Sequence, residues 1–478
     1  MAVLSATRLA ALVGELTGER PPRYAALAER VKMLVADGRI AVGIRLPAER
    51  ELADAVALSR ATVTAAYRRL REDGWACARQ GAGTWTALPS GSPPGAWVPV
   101  PAAPGVLDLA HAAPSAPPEI VTAFSAALDE LPRLLPGHGY HPAGLPELRA
   151  RIAERYTRRG LPTSSEQILV TGGALHAIAV ALEVLVDRGD RVLVEHPSYP
   201  NALDAISTRG ARTVPVAIDA ERPDEVAADV ACAVRQTDPR LAYLVPDFQN
   251  PTGLHLDEHQ RRRLAAELHR AGTVALVDET LAELALDPAV AAAPPYAAVA
   301  RPDRAVTVGT LSKSVWGGLR VGWLRAEADM VQRLTAVAVR TRLSEPVLEQ
   351  LAACHLLDRA DDMLGPYRVR LRTRRDALVR ALGHRLPDWR VPVPRGGLVL
   401  WCALPAPVSN ALVGAAQQRG LRLAAGPRFG TGHAFADRLR LPYTQPVDVL
   451  EHAVDVLADV AADLTDADQR PAPSRLVV

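Results

Sequence analysis

Six short apolar runs recur between residues 167 and 312, each bounded by Gly, Pro, Asp or Ser: QILVTGG, RVLVEHP, RTVPVAI, LAYLVPDF, TVALVDE and AVTVGTLS. Unbroken apolarity over four or five residues, in place of strict alternation, suits strands buried on both faces of a mostly parallel sheet. Helical patterns separate the runs, which predicts an α/β architecture whose ligands lie outside the carboxyl ends of the strands. After about residue 335 the pattern changes to long helices followed by GGLVLWCAL, GLRLAAG and RLRLPY, which predicts a smaller C-terminal α+β part.

The chain of 478 residues is longer than one core usually serves, so more than one domain is expected. Proline, glycine and serine thicken between residues 87 and 118, marking a semi-extended linker. The expected divisions are 1–87 (core 23–87), a linker at 88–107, a large domain at 108–465 and a frayed tail at 466–478. The large domain divides further, near 150–335 and 336–465. Residues 21–90 hold 11 Lys+Arg against 7 Asp+Glu, while the whole chain carries only +2, so the basic excess belongs to the small N-terminal module. That distribution argues against a global polyanion or membrane surface. No apolar run is long enough to span a bilayer, and MAVLSATRLAALVGEL reads as an amphipathic helix of a cytoplasmic protein. The four cysteines form no CxxC pair and the histidines no HExxH, so no metal site is expected.

Residues 23–87 contain three helical patterns and then WACARQGAGTWTA, a hairpin with a glycine-rich tip. Pro47 introduces the second helix and Ser59 can cap the third, the arrangement of a helix-turn-helix with a wing. The stretch GIRLPAERELADAVALSRATVTAAYRRLREDGWACARQGAGTW resembles the winged helix-turn-helix of the GntR regulators over its whole length. That resemblance implies double-stranded DNA as partner, contacted by Arg50, Ser59, Arg60, Thr64, Gln80 and Gly81. Arg68, Arg69 and Arg71 read equally well as a solvated helix face.

Lys+Arg total 55, yet only Lys32 and Lys313 are lysines. An ammonium can lose its proton and attack a carbonyl, whereas a guanidinium cannot, so Lys313 in TLSKSVWGGLRVGW is a candidate amine nucleophile. Such an amine could hold pyridoxal phosphate, which also needs an acid at the pyridine nitrogen, a phosphate cup and a flat group against the ring. VTGGALHAIAVAL offers a glycine turn opening a helix, and VALVDETLAEL ends a strand on Asp278.

From about residue 107 to 465 the chain resembles the fold-type I, class I and II aminotransferases: GYHPAGLPELR, the glycine cup, PSYP, NPTG, the Asp after a strand, SK with RVG, and a late arginine. The resemblance implies that Lys313 is the Schiff-base lysine, Asp278 pairs with the ring nitrogen and Asn250 bonds the phenolic oxygen. It implies further that Tyr199 stacks on the ring, and that Thr310, Arg320 and the amides of Gly173, Ala174 and Leu175 hold the phosphate. Arg440 falls where the family binds a substrate carboxylate, and Tyr140 where it reaches the partner subunit's phosphate in a homodimer. Thr280 and Leu281 depart from the family, which usually has a tyrosine there.

A GntR head joined to an aminotransferase-like domain resembles the MocR regulators. The resemblance implies a homodimeric, cytoplasmic transcription factor that binds paired half-sites and senses pyridoxal phosphate or a small amino compound. Two other readings are weighed beside it: a working aminotransferase, favoured by Lys313, Asp278, Asn250 and Arg440, and a regulator whose cofactor domain only dimerises.

Overall fold

The computed structural model describes residues 4–14, 22–36, 40, 45–79, 83–86, 105–290, 293–431 and 434–469. The chain forms two compact units, residues 1–98 with 426–436 and residues 99–425 with 437–478.

In the first unit, helices α1 (Ala6–Val13), α2 (Arg23–Ala36), α3 (Glu49–Ala55) and α4 (Arg60–Glu72) precede an antiparallel hairpin of β1 (Ala76–Arg79) and β2 (Gly83–Thr86). Leu27, Val31, Leu52, Val63, Tyr67 and Leu70 close the core between the helices. Ser59 caps α4 as expected, accepting the Thr62 amide at 3.1 Å. Lys32, to which the sequence assigned no role, is buried, and its Nζ donates to Asp73 Oδ2 at 2.7 Å and to Glu29 Oε1 at 2.5 Å. It ties α2 to the end of α4, and this contact holds the Asp73 carboxyl below the usual carboxylate range.

In the second unit, β3 (Leu107–Asp108) precedes a seven-stranded sheet. Its strands are β4 (Ile168–Thr171), β5 (Arg191–His196), β6 (Arg212–Ala217), β7 (Leu241–Leu244), β8 (Val274–Asp278), β9 (Ala305–Thr310) and β10 (Gly322–Arg325). Their order is β4-β10-β9-β8-β7-β5-β6, and β10 alone runs antiparallel to its neighbours. The unbroken apolar runs of β4, β5, β7, β8 and β9 follow from burial of both faces, whereas β6, expected to be buried likewise, lies at the edge of the sheet and is mostly exposed or half-buried. Leu193, Ala242, Leu244, Ala275 and Val277 enter one core, while Val192, Val194, Leu241, Tyr243 and Leu276 enter another. Because β4 and β9 share one direction with β5, β7 and β8, their carboxyl ends gather along a single edge.

The helix Val347–Asp358 packs in the first of these cores, and the smaller part adds the helix Ala360–Arg385, then a three-stranded sheet of β11 (Val399–Ala403), β13 (Ala424–Ala425) and β14 (Arg438–Pro442). The short β12 (Leu421–Arg422) pairs in parallel with β3. The helix Val447–Gln469 packs on this part through Leu450, Val454 and Leu457. Among the described residues, no helix is long and apolar enough to cross a membrane.

Candidate functional site

The carboxyl edge of the sheet carries the chemistry. Asp278, the last residue of β8, is buried, and both its oxygens are held. The Tyr243 hydroxyl donates to Oδ2 at 2.7 Å and the Thr280 amide to Oδ1 at 3.0 Å. Burial raises the Asp278 pKa, while these donors and the Lys313 ammonium hold it down. Lys313 follows β9, and its Nζ donates to Ala112 O at 2.9 Å. Burial, then the charge of Arg440, lowers its amine to about 8 against the opposing attraction of Asp278.

Tyr199 stands immediately before helix Pro200–Thr208, half-buried. Burial and the Asp278 charge push its phenol up to about 12, with Arg440 and Arg320 restraining the rise. Lys313, Asp278, Tyr199, Arg320 and Arg440 thus lie within electrostatic reach of one another. Arg440 sits in β14 between Trp401 and Ala424, buried, with its guanidinium donating to Ala110 O. Asn250 follows β7, and its Oδ1 is buried without a hydrogen-bond partner among the described residues.

The glycine cup differs in detail from its sequence reading. Helix Ala174–Leu185 starts after Gly173, which adopts φ +103°. The Gly173 amide donates back to Thr171 O at 2.8 Å, so it closes the turn and does not face outward. Ala174 and Leu175 stand in the first helical turn, where amides have no acceptor within the helix. The positive end of the helix dipole favours an anion there. Arg320, with φ +54°, donates Nη2 to Gly172 O at 2.5 Å. A Cβ on Gly173 would lie 2.8 Å from that Nη2, so glycine is what lets the guanidinium cover the cup.

Thr310 also departs from expectation. Its hydroxyl donates to Val321 O at 2.8 Å and lies 3.0 Å from Ser312 Oγ, while the Ser312 amide donates to it at 3.1 Å. Having spent its single hydrogen, Thr310 braces the turn that carries Lys313. The Ser312 hydroxyl, which the sequence reading did not single out, supplies the hydrogen of its 3.0 Å contact with Thr310. Tyr140 is 53% exposed, its ring stacked on His138.

Tyr243 was missed as well. A lone hydroxyl-bearing side chain in the apolar run LAYLVPDF was the available signal, since a buried Tyr hydroxyl requires a partner. It does not replace the family's tyrosine: it meets the carboxylate of Asp278, while Leu281 is buried in the core of the smaller part.

In the first unit, Arg50 on α3 and Arg60 at the start of α4 are exposed. Ser59 Oγ is engaged in capping, and the Thr64 hydroxyl lies 2.7 Å from Glu49 Oε2 and 2.9 Å from Arg60 O. Gln80 and Gly81 lie outside the described residues. Arg69 pairs with Asp73 at 2.8 Å and Arg68 faces Glu72 at 3.9 Å, so both belong to a solvated face. Among the described residues, no cluster of His, Cys, Asp or Glu could hold a metal ion.

The profile of the family "Aminotransferase class I and II" matches residues 117–457, and that of "Bacterial regulatory proteins, gntR family" matches residues 23–85. The HTH-type transcriptional regulator YdcR of Escherichia coli is 29% identical over 86% of this chain and 92% of its own length. The 2-aminoadipate transaminase of Thermus thermophilus is 30% identical over 71% of this chain and 86% of its own. The crystal structure of LysN, an alpha-aminoadipate aminotransferase of Thermus thermophilus complexed with N-(5'-phosphopyridoxyl)-L-leucine, superposes with a TM-score of 0.70. It is 27% identical and covers 76% of this chain and 94% of its own. The chain belongs to the aminotransferase class I and II family and carries a gntR-family helix-turn-helix at its N-terminus, the MocR-type arrangement.

Proposed function

We propose that this protein is a DNA-binding transcriptional regulator whose aminotransferase-like domain binds pyridoxal phosphate and, with it, a small amino compound. The observation that carries the reading is the pairing of a buried Asp278 with Lys313, an amine lowered to about 8, in a chain that also holds a DNA-reading head.

The residues present fit the cofactor. The orphaned, buried Asn250 Oδ1 and the cup formed by Arg320 over Gly173 are features that packing alone does not explain. In this reading Asp278 holds the proton of the ring nitrogen, Asn250 bonds the phenolic oxygen and Tyr199 lies against the ring. Arg320 and the Ala174 and Leu175 amides hold the phosphate. Bound there, the cofactor supplies an aldehyde that condenses with amines and a ring that withdraws electrons. Lys313 presents its amine to that aldehyde, and burial leaves roughly a tenth of it unprotonated at neutral pH, far more than an ordinary lysine keeps. Arg440 receives a carboxylate of the amino compound, and its charge assists in depressing the Lys313 pKa.

Arg50 and Arg60 are free to meet DNA, while Ser59 and Thr64 shape the entry of the recognition helix. A homodimer in the cytoplasm is part of the proposal. Val121, Leu128, Leu135, Tyr140 and Leu343 are large apolar groups exposed on the second unit, and Tyr140 is available to a partner's cup.

A second reading, a working transaminase, is favoured by the joint presence of Lys313, Asp278 and Arg440 and by relatives that include the 2-aminoadipate transaminase. Operator binding with and without pyridoxal phosphate tests the first reading. Turnover of an amino acid with a keto acid tests the second.

A further inference from the structure

One short segment engages both cations that the proposed ligands require. Leu107–Asp108 pairs with Leu421–Arg422, the Leu107 amide donating to Gly420 O at 2.8 Å and the Leu109 amide to Arg422 O at 2.9 Å. Asp108 then turns the chain. Its Oδ1 accepts the Ala110 amide at 2.9 Å, and its Oδ2 lies 2.8 Å from His111 Nδ1 and 3.3 Å from Arg422 Nη1. Past the turn, Ala110 O accepts from the Arg440 guanidinium and Ala112 O from Lys313 Nζ at 2.9 Å. Leu109 and Ala110 are buried.

We propose that residues 107–112 form an autoinhibitory strap, whose carbonyls at Ala110 and Ala112 occupy Arg440 and Lys313 until an aldehyde and a carboxylate displace them. The proposal rests on the cofactor reading above and specifies how the same site is regulated. When the neutral Lys313 amine bonds to an aldehyde carbon, both amine hydrogens leave with the aldehyde oxygen as water, and Ala112 O loses its donor. A carboxylate on Arg440 is a stronger acceptor than a peptide carbonyl, so it takes the guanidinium from Ala110 O. Each displacement loosens the same strap, so the first ligand bears the cost of opening and the second binds more tightly. In sequence, the strap lies between the DNA-reading head and the rest of the second unit.

Hydrogen exchange of the full-length protein, read on peptides covering residues 105–116, tests this. Pyridoxal phosphate is the probe, inorganic phosphate the control, and the visible absorbance band reports binding. The expected result is a band accompanied by at least about tenfold faster exchange of the Leu107, Leu109 and Ala110 amides. Asp108→Ala, which removes the turn, is expected to exchange fast before any ligand is added and to change little afterwards. If that variant does not fold, His111→Ala removes a weaker part of the same anchor and is expected to shift exchange in the same direction. A band with unchanged or slower exchange in this region overturns the strap and leaves the cofactor reading standing. No band at saturating cofactor overturns the cofactor reading, and the strap with it.

Discussion

Tyr243 on β7 donates its hydroxyl hydrogen to Asp278 Oδ2 on the adjacent parallel strand β8 across 2.7 Å, both side chains buried. A carboxylate in so apolar a place would rise in pKa and lose its charge, and the Tyr243 and Thr280 donors oppose that rise. In the proposed function, Asp278 thus stays an anion that faces a protonated ring nitrogen.

Tyr243→Phe removes one charge-assisted hydrogen bond and leaves the packing volume almost unchanged. Such a bond is worth about 1.5–3 kcal/mol, so pyridoxal phosphate is expected to bind at least about tenfold more weakly. The midpoint of the visible-spectrum pH titration of the loaded protein is expected to shift, which loss of packing alone would not produce. Equilibrium dialysis and absorbance titration read the two effects.

Lys313 titrates near 8 because burial and Arg440 disfavour its charged form. Only the neutral amine attacks an aldehyde, so the rate of visible-band formation is expected to rise about tenfold per pH unit below that value and level off above it. Arg440→Gln removes a charge that depresses this pKa, so the break in the profile is expected to move to higher pH. Lys313→Ala is expected to abolish the band. Stopped-flow absorbance across pH checks all three.

Much of this arrangement was legible in the sequence, for identifiable reasons. Strands buried on both faces require unbroken apolar runs, so β4, β5, β7, β8 and β9 were visible; Asp278 followed from its place at a strand end, and Lys313 from the scarcity of lysine in an arginine-rich chain. What the sequence could not show was where individual hydrogens go. Thr310 and Gly173 stand at the expected positions, yet their donors are spent on Val321 O and Thr171 O, choices made by the local fold. Tyr243 was hidden because its partner, Asp278, is 35 residues away. Ala110 and Ala112 act through backbone carbonyls, which no side-chain pattern reveals.

Lys32, the chain's other lysine, is a structural tie. Lys32→Met removes charged hydrogen bonds to Glu29 and Asp73, of which Asp73 keeps Arg69 at 2.8 Å as a partner. The cost is expected near the lower end for such bonds, about 1.5 kcal/mol. Because the Asp73 pKa is lowered by this contact, the stabilisation is present above the unfolded carboxylate's pKa and is lost as pH falls through the folded value. Native-state hydrogen exchange of helix α4 in the full chain, at neutral pH and again in acid, measures both.

The two exposed arginines of the head are expected to serve DNA binding, and the Ser59 cap to serve helix stability. Arg50→Ala and Arg60→Ala are each expected to weaken operator binding by about 1–3 kcal/mol if they read bases. If they meet only phosphate, they are expected to reduce the salt slope by about one. Ser59→Ala is expected to cost about 1 kcal/mol of α4 stability, seen as faster exchange of the first-turn amides without DNA present. Titrations at two salt concentrations, beside exchange of the free protein, separate the roles.

Cofactor chemistry at Lys313 is expected to govern DNA binding. Its most direct test is the affinity of the full-length protein for the DNA upstream of its own gene, measured with and without pyridoxal phosphate, in the wild type and in Lys313→Ala. A cofactor-dependent shift in affinity or in the pattern of bound half-sites is expected in the wild type, and none in the variant. An identical shift in both proteins, or none in a wild type whose absorbance band shows it loaded, would contradict this expectation.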